Sequence, residues 1–276
     1  MVARLVQADH RVTIWNRSEV RGQEVAQRTG ATLARTPAEA VGQVDVVISM
    51  LSSGEVTQSV LLDEQVRAAL RPSTVVCDMG TSGVDCALAL DAALTPLGVH
   101  CLDAPVSGSV ATVAAGQLLV MAGGDEPVVR TIEPVLLAFA KRVIHLGPIG
   151  SGQAMKLSVN LVVHTLNAGL SEALALSTSA GVSRQAAYEV FLESVIAAPF
   201  VVYKRAAFLD PDAPVAMSLD LTRKDLRLIT EFARDQLVPS AVAQAVRDEV
   251  SAACAAGRGD RDMADLSRYL ESEIGR

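Results

Sequence analysis

The sequence predicts a doubly wound α/β domain over residues 1–149 followed by an all-α domain over residues 150–276. Three observations carry this. Apolar, β-branched-rich runs alternate with helical patterns through the first half, the signature of a mostly parallel sheet covered by helices. After Gly150 no run reads convincingly as a strand, and Ala- and Leu-rich helical periodicity takes over. At the junction stands the longest helical pattern, opened by the turn residues Gly150 and Gly152 and running to about Ala180.

In order, residues 11–16 read as a strand and residues 19–29 as a helix closed by Gly30. Residues 44–50, 73–79 and 99–103 are further strand-like runs, with helical patterns near 54–70 and 84–96. Two more strands, near 118–121 and 143–146, flank a helix starting near Glu126. Ligands of such sheets bind beyond the carboxyl ends of the strands. The informative residues are therefore Asn16-Arg17-Ser18, Met50-Leu51-Ser52 and Thr81-Ser82. Helices are expected at 152–180, 183–193, 222–236, 240–256 and 262–272, with Gly181 closing the first and Ser183 capping the second.

Composition narrows the function classes. A hydrophobic fraction of 50% over 276 residues supports sizeable cores, and a net charge of −7 argues against nucleic acid or an anionic membrane as the main partner. The long helix is interrupted by Asn160, His164 and Asn167, and the N-terminus lacks a signal-peptide core, so a cytoplasmic location is expected by default. Cys77, Cys86, Cys101 and Cys254 lack metal-ligand spacing, and neither a metal nor a disulfide is expected.

The chemistry-bearing residues fall in four strings. In the long helix, Lys156, Asn160, His164, Asn167 and Ser171 recur at spacings of three or four and so share one face. A buried charge must be paired or line a cavity, so this stripe reads as the wall of an active site. Its opening is Gly-x-Gly-x-x-x-Lys-x-x-x-Asn, residues 150–160. The second string is Asp-Ala-Pro-Val-Ser-Gly-Ser at 103–109, continued by Gly116-Gln117-Leu118 and Met121-Ala122-Gly123-Gly124. Pro105 stiffens that loop, Ser107 offers a hydroxyl and Gly108 an unobstructed N–H, a cradle suited to a carboxylate. The third is Lys224-Asp225-Leu226 and the fourth Gly257-Arg258-Gly259-Asp260-Arg261-Asp262.

These strings resemble, in order and over residues 1 to about 270, those of the β-hydroxyacid dehydrogenase family, which includes 3-hydroxyisobutyrate dehydrogenase and the glyoxylate and succinic semialdehyde reductases. The resemblance implies a Rossmann-like cofactor domain and hydride transfer to or from a small carboxylated substrate. It implies Lys156 as general acid/base and Asn160 as the partner of the reacting oxygen. Ser107, Gly108, Ser109 and Lys224 would bind substrate, and Asn16, Arg17, Ser18, Met50, Leu51, Thr81, Lys224 and Asp225 the cofactor. Ser109 stands where many members carry a third Gly, which weakens transfer of 3-hydroxyisobutyrate itself as the substrate. Arg17 suits a 2′-phosphate and points to NADP, with NAD possible.

One expected feature is missing. The Gly-rich phosphate turn should lie about 20 residues before the 2′-site residue, yet the sixteen residues before Arg17 contain no Gly. Residues 1–10 read as the remainder of the helix that follows such a turn, and the first strand is absent too. The expectation is an N-terminally truncated member, through a start codon placed too far downstream or a shortened gene. The function expected is NAD(P)-dependent interconversion of a small 3-hydroxy acid, or a related hydroxy acid, and its semialdehyde or keto form. The expected assembly is a homodimer or homotetramer. Imine reduction on the same fold, and a cofactor-free interaction protein, are the alternatives.

Overall fold

Strand alternation in the first half produces two sheets. The computed structural model describes residues 1–274. It divides into two compact units, Met1–Lys156 and the residues from Leu157 onward. In the first unit, helix α1 (Val2–Gln7) precedes strand β1 (Thr13–Ile14), which pairs in parallel with β2 (Thr32–Leu33) as a separate two-stranded sheet. Helices α2 (Glu19–Thr29) and α3 (Pro37–Val41) flank β2. The strand expected at 11–16 thus shrinks to two residues, because β2 offers only Thr32 and Leu33 as partners.

The second sheet contains β3 (Val46–Ser49), β4 (Val75–Asp78), β5 (His100–Asp103), β6 (Val106–Ser107), β7 (Leu118–Gly123) and β8 (Ala140–Gly147). Its order is β3-β4-β5-β7-β6, with β8 also on β7. The first three strands are parallel, β7 is antiparallel to β5 and β6, and β8 is parallel to β7. Alternate residues of the parallel strands enter opposite cores: Val75 and Cys77 join Leu102, Val120, Leu136 and Phe139, while Val76 joins Cys101, Leu90 and Leu94. Two buried faces are what a doubly wound sheet demands, and the near-continuous apolar strand runs reflect them. Each fully buried Leu or Phe contributes about 1.5–3 kcal/mol.

The remaining helices of this unit are α4 (Gly54–Leu61), α5 (Glu64–Ala69), α6 (Val84–Leu94), α7 (Val110–Ala114) and α8 (Glu126–Leu137). The single helix expected over 54–70 is two, because the Asp63 side chain accepts from the Gln65 and Val66 N–H groups and starts a new helix.

Helix α9 (Ser151–Ser179) begins in the first unit and continues into the second. The second unit adds α10 (Arg184–Glu193), α11 (Pro199–Leu209), α12 (Leu219–Asp235), α13 (Ala241–Ala253) and α14 (Leu266–Glu273). Helix α11 is absent from the sequence reading. Its buried Phe200, Val201, Lys204 and Phe208 pack with Leu174, Tyr188, Leu219 and Leu226, except that Lys204 pairs with Asp262. Among the described residues this unit has no strand, only an isolated antiparallel bridge between Ser218 and Asp262. No described helix is long and apolar enough to cross a membrane.

Candidate active site

The loops after β1, β3 and β4 are held mainly by backbone contacts. Asn16 donates through Nδ2 to the Ser18 carbonyl at 2.9 Å, and Ser18 caps α2 by accepting the Arg21 N–H. Asn16 and Arg17 are exposed. Met50 is 48% exposed, and Leu51 and Thr81 are half-buried. The loops after β3 and β4 touch where glycine permits it: a Cβ at Gly54 would stand 2.3 Å from the Ser82 carbonyl oxygen.

Gln153, fully buried in the first turn of α9, organises the loop after β4. Its Oε1 accepts the Ser82 and Gly83 N–H groups at 3.2 and 3.1 Å, and its Nε2 donates to the Gly80 carbonyl at 2.8 Å. Asp103 organises the other side of the same turn. Its carboxylate oxygens accept from Gly150 N–H at 2.7 Å and Gln153 N–H at 2.6 Å, so an aspartate distant in sequence caps α9. Burial pushes the Asp103 carboxyl up to about 6, against the lowering effect of those N–H bonds. Gly152 is required by packing, since a Cβ there would lie 2.4 Å from the Asp103 carbonyl oxygen.

Of the expected substrate residues in this unit, Ser107 is half-buried in β6 and Gly108 exposed with φ +140°, a conformation suited to glycine. Ser109 caps α7 in a reciprocal box with Thr112, which engages its hydroxyl locally. Lys156, half-buried, donates from Nζ to the Val106 carbonyl at 2.8 Å. The proton carrier expected from the sequence therefore lies directly on the expected carboxylate loop.

In the second unit the stripe of α9 is held partly by side chains and partly by main-chain carbonyls. Asn160 Nδ2 donates to Asp225 Oδ2 at 2.7 Å, and Lys224 Nζ lies 2.9 Å from Asp225 Oδ1. His164 Nε2 lies 3.6 Å from Asp225 Oδ2. Asn167 donates to the Met263 carbonyl at 2.9 Å, and Ser171 to the Asn167 carbonyl at 2.8 Å. Burial alone would raise the Asp225 carboxyl, but His164 and Lys224 outweigh it and hold it below the ordinary range. Asp225 is 2% exposed, whereas Lys224 keeps part of its side chain at the surface.

Asp103 and Gln153 lie inside the strings read from the sequence, but neither was given a role. Gln153 could have been, because it lies three residues before Lys156 and seven before Asn160, on the same helical face.

A doubly wound domain with ligand loops at its strand ends, joined to a helical domain bearing a Lys/Asn stripe, is an architecture of dinucleotide-binding proteins. Residues 1–147 match the NAD-binding domain of 6-phosphogluconate dehydrogenase. Residues 150–270 match the NAD-binding domain of NADP-dependent 3-hydroxyisobutyrate dehydrogenase. The chain belongs to the β-hydroxyacid dehydrogenase family. A probable 3-hydroxyisobutyrate dehydrogenase of Mycobacterium tuberculosis is 38% identical over 190 residues, 69% of this chain and 64% of that protein. The chain thus aligns with somewhat under two thirds of that relative's length. Glyoxylate/succinic semialdehyde reductase 1 of Arabidopsis thaliana is 28% identical over 95% of this chain and 91% of its own. The solved Mycobacterium tuberculosis 3-hydroxyisobutyrate dehydrogenase with L-serine superposes with a TM-score of 0.83 at 32% identity, covering 98% of this chain and 94% of that one.

Proposed function

We propose that the chain is an NADP-dependent oxidoreductase that interconverts a small 3-hydroxy acid, or a closely related hydroxy acid, and its semialdehyde or keto form. The observation carrying this reading is Lys156 Nζ on the Val106 carbonyl, which sets a titratable amine against the Ser107–Gly108 loop. The dinucleotide fits the residues present at its two ends. Arg17 and the cap of α2 suit a phosphorylated ribose, and the glycine-permitted approach of the loops after β3 and β4 suits a nicotinamide ribose. The described residues supply no Gly-x-Gly-x-x-Gly turn for its diphosphate. Asn16, Arg17 and Ser18 would hold the first end, and Met50, Leu51 and Thr81 the second.

When bound, the nicotinamide supplies or accepts the hydride. The chain's own residues manage charge and protons. Ser107 Oγ and the Gly108 N–H hold the substrate carboxylate, with Ser109 keeping that loop in shape through its cap on α7. Lys156 as ammonium gives a proton to the carbonyl oxygen being reduced, and as amine takes it from the hydroxyl being oxidised. Asn160 hydrogen-bonds that oxygen, and Asp225 holds Asn160. The reading includes self-association, since Val162 and Leu176 of α9 are 66% and 74% exposed.

The test is an absorbance assay with NADPH or NADH against glyoxylate, succinic semialdehyde, other carboxylated carbonyls and cyclic imines. Turnover of a carboxylated carbonyl, faster with NADPH, is expected. Turnover of cyclic imines alone, or of nothing, would overturn the reading.

A further inference from the structure

His164 belongs to the polar stripe of α9, yet the proposed reaction gives it no task. It stands one turn beyond Asn160, is 2% exposed, and neither ring nitrogen has a hydrogen-bond partner. Its nearest charged neighbour is Asp225 Oδ2, at 3.6 Å from Nε2, an ion–dipole contact rather than a hydrogen bond. The same Oδ2 accepts from Asn160, while Oδ1 faces Lys224. One buried carboxylate therefore receives two neighbours from a single helix face and a cation from its own helix.

The carboxamide of Asn160 has two orientations of nearly equal shape, and only its hydrogen bonds choose between them. Asp225, an acceptor when ionised, selects the orientation with Nδ2 toward itself. The carbonyl oxygen and the second N–H proton of Asn160 are then left for other partners. An ionised acceptor opposite Nε2 also selects the imidazole tautomer, placing the proton on Nε2 and the lone pair on Nδ1. We propose that His164 is a positioning residue that acts through Asp225 to fix the orientation of Asn160, its Nε2 edge facing Oδ2 at 3.6 Å and biasing that oxygen electrostatically. The proposal rests on the reading that Asn160 serves the reacting oxygen.

A double-mutant cycle tests it. His164→Leu keeps bulk and removes the donor; His164→Gln keeps an N–H of similar reach. His164→Leu is expected to lower kcat about tenfold, the scale of coupling within one hydrogen-bonded network, with KM for the carboxylated substrate within about twofold. His164→Gln restores most of kcat. In an Asn160→Ala background, His164→Leu changes kcat less than about twofold, because the residue it acts through is gone. A readout independent of turnover is nitrogen NMR of histidine-labelled protein, in which the His164 resonance lost in His164→Gln reports the Nε2–H tautomer. Multiplicative effects in the cycle, an Nδ1–H tautomer, or an indifferent His164→Leu beside an impaired Asn160→Ala would overturn this proposal alone. An Asn160→Ala enzyme with unchanged kcat would overturn the catalytic reading of Asn160 and this proposal with it.

Discussion

The two units hold their candidate residues by different means. In Met1–Lys156 the side chains around the start of α9 bond to backbone: Gln153 to three main-chain groups around Ser82, Asp103 to two N–H groups of α9, and Lys156 to the Val106 carbonyl. From Leu157 onward the buried charges also meet side chain to side chain: Asn160 and Lys224 at Asp225, and Lys204 at Asp262. Backbone-held geometry depends on where glycine, proline and caps stand, and these write recognisable strings. Side-chain networks depend on which charges meet across long separations, 65 residues for Asn160 and Asp225. They tolerate less change in any one partner, because removing one leaves another buried and unpaired.

The sharpest challenge to this comparison is Lys156, a backbone-anchored residue assigned the chemistry itself. Lys156→Ala is expected to lower kcat by about 10²–10⁴-fold with cofactor affinity nearly unchanged. Lys156→Arg should not rescue, since a guanidinium does not deprotonate near neutral pH. Near-normal turnover in either variant, measured under saturating substrate, would remove Lys156 from the chemistry.

The next largest effect tests the side-chain-held unit. Lys204 is 2% exposed, and both oxygens of Asp262 accept its ammonium while also taking the N–H groups of Ala216, Met217 and Ala264. Lys204→Met removes the cation and strands the carboxylate, at a cost of about 3–5 kcal/mol in unfolding free energy. Adding Asp262→Asn should recover part of the loss. If Lys204→Met unfolds in urea as the parent does, buried pairing is not what holds the loop before α12.

How much could be read in advance follows the same division. Helix α2 was legible to the residue because Ser18 caps it and Gly30, at φ 78°, ends it. The Asp103–Ser109 loop and the Gly150–Asn160 opening were legible because glycine, proline and serine sit where the backbone needs them. Helix α11 was overlooked although its signals were present: Pro199 at its start and apolar residues at 200, 201 and 208 on one face. Strands β2 and β6 were beyond reach, since two residues carry no period. Nothing local announced that Asp225 would meet Asn160, or that Asp103 would cap α9.

A pH experiment probes the backbone-held unit. The folded Asp103 carboxyl is raised from 3.8 to about 6, so the folded state holds this proton more tightly than the unfolded chain. Between pH about 4 and 6 the unfolded chain ionises first, so this group's contribution is fullest at the acid end and is lost as pH rises toward 6. A shift of about two units corresponds to about 3 kcal/mol. The difference in unfolding free energy between parent and Asp103→Asn, measured in urea from pH 4 to 7, should therefore fall across that window and level off above it. A flat difference would mean that Asp103 is well solvated and does not clamp α9 in a dry junction.

The smallest effect concerns the most exposed part of the backbone-held unit. Arg17 follows β1 in a loop whose shape is set by Asn16 on the Ser18 carbonyl and by Ser18 on α2, so its guanidinium is presented by the main chain rather than by a side-chain partner. If that presentation serves a 2′-phosphate, Arg17→Asp should weaken NADPH binding by about 1.5–3 kcal/mol, the worth of a charge-assisted contact. NADH binding should change little, because its ribose carries no phosphate and a carboxylate there accepts from the 2′-hydroxyl. The substitution should leave unfolding free energy within about 0.5 kcal/mol, as expected of an exposed side chain. Paired calorimetric titrations with the two cofactors separate the outcomes. Equal loss of both affinities would show that Arg17 supports the loop as a whole, and loss of neither would remove the residue carrying the NADP assignment.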